Sequence, residues 1–133
     1  MLAIAIILPV IIVILKAFLN YHNWLHNKPV KHTKEWVIMA LCSAPSVYGF
    51  VHESALPWYL SAPLSALMVA WFIWLFFDGL YNILREYNWW FTGSNDPDDA
   101  VTDNFLQGLK LWQHIVIKIG GLAIFVTLYI LTK

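Results

Sequence analysis

The sequence predicts an all-α integral membrane protein of four transmembrane helices, with an amphipathic interfacial helix in the third loop. Three observations lead there. Hydrophobic residues make up 60% of the 133 residues and charged residues only 12%, about half the charged share of an ordinary soluble domain. Mean hydropathy is +0.64. Apolar runs of near-bilayer length recur four times, and Trp, Lys and Arg gather at their ends. With so few solvated side chains, one domain's length cannot cover a water-facing surface. The whole chain, 1–133, reads as a single membrane domain.

The first predicted span is 1–19, interrupted only by Lys16. It lacks a basic region ahead of its apolar stretch and has no small-residue cleavage site behind it, so an uncleaved anchor is expected rather than a secretory signal. A first cytoplasmic loop covers 20–33. The second span, 34–51, carries Pro45 in its middle. Proline removes a backbone donor, so a three-span alternative has this run re-entrant. The third span, 58–77, follows Pro57, which suits a helix start; Pro63 either kinks it or marks the true start, with Ser61 as cap. The fourth, 111–131, contains Lys118 and the small residues Gly120, Gly121 and Ala123, beside which another helix can approach closely. At 1.5 Å rise per residue, about 20 residues cross the hydrocarbon core.

Charge sets the orientation. Seven of the eight Lys and Arg (Lys16, Lys28, Lys31, Lys34, Arg85, Lys110 and Lys118) flank loops one and three, and Lys133 alone lies at the C-terminus. By the positive-inside rule those loops are cytoplasmic and both termini lie on the non-cytoplasmic side. The expected location is the inner membrane or a virion membrane. Lys16 and Lys118, within two turns of the cytoplasmic face, are expected to snorkel to the headgroups. Trp24, Trp36, Trp89, Trp90 and Trp112 fall at that face as interfacial anchors, and Trp58 marks the other.

The second cytoplasmic loop, 78–110, begins as a continuation of the third helix. Trp71, Trp74, Asp78, Tyr81 and Arg85 recur at steps of three and four and form one stripe. A buried carboxylate needs a donor, and Lys16, Lys118, Arg85 or a histidine from another helix are the candidates for Asp78. Asn95 to Asp99 superficially suggests a calcium loop, but the glycine and the closing glutamate of an EF-hand are missing. Helix capping fits every residue: Asp96 is the cap, Pro97 takes the first position, and Asp98 and Asp99 meet the dipole. Val101, Phe105, Leu109 and Trp112 then form the apolar stripe of the interfacial helix.

The remaining candidate chemistry is histidine. His22 and His26 stand one turn apart if the first helix extends beyond the bilayer. That spacing chelates a metal when further ligands arrive, and His114 and Asp78 lie on the same side of the membrane. His32 can also approach; His52 is on the opposite side. The metal candidates are therefore His22, His26, His114 and Asp78. The first expectation is no cofactor, with zinc, iron or haem as the alternatives. The glutamate of an HExxH motif is absent, and five histidines without an adjacent pair fall short of a membrane di-iron centre. The single cysteine, Cys42, excludes an intrachain disulfide, and zero formal net charge gives no field for nucleic acid.

The stretch Phe77-Asp78-Gly79-Leu80-Tyr81-Asn82-Ile83-Leu84-Arg85, with Trp89-Trp90-Phe91-Thr92-Gly93-Ser94 and Asp103-Asn104-Phe105-Leu106, resembles small multi-span membrane proteins of unknown function from Bacteroidota and their bacteriophages. The resemblance covers roughly the last sixty residues and implies a bacterial or phage membrane component, with no activity attached. Besides lipid, the expected partner is a second copy or a larger membrane complex, because lipid supplies no hydrophobic drive for helices to associate. Three functions remain open: a structural or accessory subunit of a membrane assembly, a metal- or haem-dependent membrane enzyme or redox protein, and an oligomeric, holin-like pore. A polar stripe through a whole span would mark the pore; here the polar residues gather near one face.

Overall fold

The computed structural model describes residues 2–26, 32–90 and 108–133, and the regular structure in them is helical throughout. Helix α1 is Leu2–Leu25, α2 is His32–Glu53 and α3 is Trp58–Leu84. The C-terminal rod is continuous but changes pitch: α4 is Leu111–Ile115, a π-helical turn spans Val116–Gly120, and α5 is Gly121–Leu131. Three rods, Leu2–Leu25, Trp58–Leu84 and Leu111–Leu131, are long and apolar enough to cross a membrane. The predicted interfacial helix, and Asp96 as its cap, lie outside the described residues.

Helix α2 is unbroken through Pro45 for 22 residues, about 33 Å at the rise of an α-helix. The run is thus a continuous helix, and it is not among the three rods long and apolar enough to cross a membrane. Its hydropathy falls below that of the other three rods, because His32, Lys34, Glu35, His52, Glu53 and two serines share it with the apolar residues. Helix α3 begins at Trp58, so Pro63 lies inside it, and Ser61 donates to the Trp58 carbonyl at 3.5 Å rather than starting the helix.

Packing depends on small residues. The buried face of α1 is Ala5, Pro9, Val13, Ala17 and Asn20, a stripe at steps of four and three. On α2 and α3 the serines Ser43, Ser46, Ser61 and Ser65 are all buried. Side chains this short let helix axes approach closely, so contact between backbones replaces the large interlocking core of a soluble bundle. The larger core residues, Met39, Met68, Val69, Ile73 and Phe77, fill the space that remains. Outward-facing positions stay apolar: Ile4, Leu15, Leu41, Ile124 and Ile130 are all exposed.

Helix α3 is the hub. It packs against α1, α2 and the C-terminal rod, whereas the rod's principal helical neighbour is α3. The C-terminus of α3 closes in a Schellman motif. Glu86 takes the left-handed conformation at φ 64°, its N–H donates to Ile83 O at 3.0 Å, and Tyr87 N–H donates to Asn82 O at 2.9 Å. The chain then turns back, and the Trp89 indole lies on Gly79, where any Cβ would collide with the ring. Asn82 Nδ2 holds the return by donating to Trp89 O at 3.2 Å.

Candidate functional site: a buried ion pair between α3 and the C-terminal rod

Ionisable groups inside apolar helices are costly, and they remain only when paired or functional. Asp78, on the last two turns of α3, meets Lys118 from the π-helical turn: Nζ donates to Oδ2 at 2.8 Å. Lys118 is 3% exposed and the Asp78 side chain 20%. The carboxylate is thus the less buried partner of the two. Lys118 does not snorkel as expected, because its partner lies across the helix interface and a tryptophan covers it. The Trp74 ring stands 5.0 Å from Nζ, within the range of a cation–π attraction.

The backbone around Lys118 is adapted to this contact. A π-turn widens the hydrogen-bond ladder by one residue and disturbs the regular pattern of carbonyl partners. Trp71 Nε1 donates to the Lys118 carbonyl at 3.0 Å, a side-chain donor at the point where the ladder changes. Trp71 can reach it because Gly121 has no side chain; a Cβ there would meet the indole. Trp71 also packs edge-on to Trp74, with centroids 5.2 Å apart. Two aromatic residues of α3 therefore bracket the lysine, one at its backbone and one at its head.

One turn before Lys118, on the same face, lies His114, also 3% exposed. Its Nε2 lies 3.2 Å from the Leu109 carbonyl. A carbonyl only accepts, so Nε2 is the donor in this contact. Nδ1 is buried and has no hydrogen-bond partner among the described residues. Gln113 Oε1 accepts from the Lys110 backbone N–H at 2.7 Å and fixes the start of the rod.

The other candidate residues are distributed differently. His22 and His26 do share a face, with ring centroids 4.3 Å apart. Both are exposed, and His26 Nδ1 donates to the His22 carbonyl at 2.8 Å, which satisfies one of the orphan carbonyls at the end of α1. Among the described residues, no three His, Cys, Asp or Glu side chains converge as a group able to hold a metal. The His32 side chain lies outside them. Of the aromatic anchors, Trp24, Trp58 and Trp112 are exposed, and Trp36, Trp89 and Trp90 are half-buried.

The stripe Trp71, Trp74, Asp78 pointed to a polar contact, and Lys118 was one of four possible donors. The π-turn carries no sequence signal beyond the Gly120-Gly121 pair. A paired ammonium and carboxylate, closed by indoles, can fix two helices to each other. The chain matches no family model, no curated protein and no solved structure. Functional roles therefore rest on this geometry alone.

Proposed function

We propose that the chain is a small polytopic membrane protein that serves as a structural or accessory subunit of a membrane assembly. In this reading α2 is the fourth span, and both termini lie on the non-cytoplasmic side of an inner or virion membrane. The observation that carries it is the Lys118–Asp78 pair, whose ammonium is consumed by a carboxylate and an indole rather than left open to a substrate. The polar chemistry of the helices thus goes into fixing α3 to the C-terminal rod, and the outer surface offers apolar side chains to lipid and to neighbouring helices.

Two measurements test it. Cys42 is exposed near the middle of α2. In sealed vesicles it should resist a membrane-impermeant maleimide, and it should still resist after the vesicles are opened. Labelling in either state would remove α2 from the membrane. Native electrophoresis of gently extracted membranes should find the chain in a discrete species larger than a monomer. A monomer at every expression level, or stoichiometric metal or haem in the purified chain, would overturn the subunit reading.

A further inference from the structure

Arg85 closes α3 and is surrounded by aromatic rings from three parts of the chain. Its guanidinium carbon lies 5.1 Å from the Trp24 ring at the end of α1, 5.2 Å from Tyr81 on α3, and 5.0 Å from Tyr87 in the turn beyond it. Three rings attract the cation through their faces, and the C-terminal end of α3 adds a negative dipole. The ring faces themselves offer the guanidinium no acceptor of carboxylate or phosphate strength. Nε is buried and has no hydrogen-bond partner, and no carboxylate of the described residues lies within ion-pair distance of Arg85. Among the described residues this cation, held in a partly dry setting, meets no anion, and an anion there would stabilise it.

The position of this cage says what completes it. It sits where α1 and α3 end together, beside Trp24 with Tyr21 stacked on it and a few residues before Trp89 and Trp90 in the chain, the kind of side chains that concentrate at headgroup level. The anion met at that depth is phosphate, whose planar, two-point recognition suits a guanidinium better than an ammonium. We propose that Arg85, with Trp24, Tyr81 and Tyr87, forms a headgroup site for an anionic phospholipid. The inference rests on the membrane reading, because the phosphate comes from the bilayer.

The test uses the full chain released from nanodiscs of equal phosphatidylglycerol and phosphatidylcholine, with retained lipid read by native mass spectrometry. Wild type should keep phosphatidylglycerol in preference. Arg85→Gln should reduce that preference tenfold or more, with Arg85→Lys between them. Tyr87→Leu changes an exposed ring and leaves the charge, and it should weaken the preference severalfold. It keeps the test decisive if Arg85→Gln fails to fold by circular dichroism. Equal retention of the two lipids by wild type, or an unchanged preference in a folded Arg85→Gln, would overturn the site. Displacement of the lipid by millimolar inorganic phosphate would overturn the bilayer as its source. Extraction of the chain from membranes by alkaline carbonate would instead refute the membrane reading itself.

Discussion

Removing either partner of the Lys118–Asp78 pair should not cost the same. Asp78→Ala leaves an ammonium that is 3% exposed with no counter-charge, whereas Lys118→Met leaves a carboxylate whose side chain is 20% exposed. Stripping one partner from a buried pair costs about 3–5 kcal/mol, because the survivor stays desolvated. Lys118 keeps its Trp74 contact, worth about 0.5–2 kcal/mol, which brings the expected loss for Asp78→Ala to roughly 2–4 kcal/mol. Asp78 is the less buried partner, so Lys118→Met should cost about half as much or less. The double variant Asp78→Leu/Lys118→Met removes both desolvation penalties and should return close to wild type. The assay is reversible unfolding in mixed micelles followed by tryptophan fluorescence, arranged as a double-mutant cycle. Equal losses for the two single variants, or a double variant that is the sum of both, would refute the reasoning.

The Gly121→Ala variant pushes a methyl into the Trp71 ring and should cost about 1–3 kcal/mol, with a shifted tryptophan emission as the ring leaves the Lys118 carbonyl. Gly120→Ala meets nothing within 4 Å and should be neutral or stabilising by up to about 1 kcal/mol in the same unfolding assay; a loss in membranes alone would mark a neighbouring helix there. Glu86→Gly relieves a left-handed backbone at φ 64° and should stabilise by about 0.5–1 kcal/mol, read as a raised Tm. Tyr129→Phe removes the hydroxyl's 3.2 Å bond to the Phe50 carbonyl and should cost roughly 0.5–1.5 kcal/mol.

The helices were legible because apolar run length and flanking Trp, Lys and Pro act locally. The start of α3 at Trp58 and the rod from Leu111 to Leu131 fall where the sequence placed them. The first rod reaches Leu25, past the predicted end at 19, because Tyr21 to Leu25 continue the helix beyond the apolar stretch and bring His22 and His26 onto one face. The partner of Asp78 was narrowed but not chosen, since the choice depends on which helices neighbour α3. The fate of Lys118 was misjudged for the same reason. Snorkelling assumes an isolated helix in lipid, and here α3 supplies both a carboxylate and an indole wall. Trp89 and Trp90 suggested an anchor; the fold of Trp89 onto Gly79 depends on the Schellman turn between them, which glutamate at position 86 does not advertise.

Helix α5 is apolar on every side, so nothing in its own surface tells it which way to face or how far along α3 to sit. Two polar ties at opposite ends of the rod settle both questions. At one end Lys118 reaches Asp78; at the other, Tyr129 donates to Phe50 O, and Ala55 N–H donates to Thr132 O at 2.9 Å. A slide of one helical turn, about 5.4 Å, would break both ties at once, and a rotation would swing Lys118 out of the helix interface and away from Asp78. The register of this rod is thus written by a few polar atoms at its extremities and by the close seat of Trp71 on Gly121.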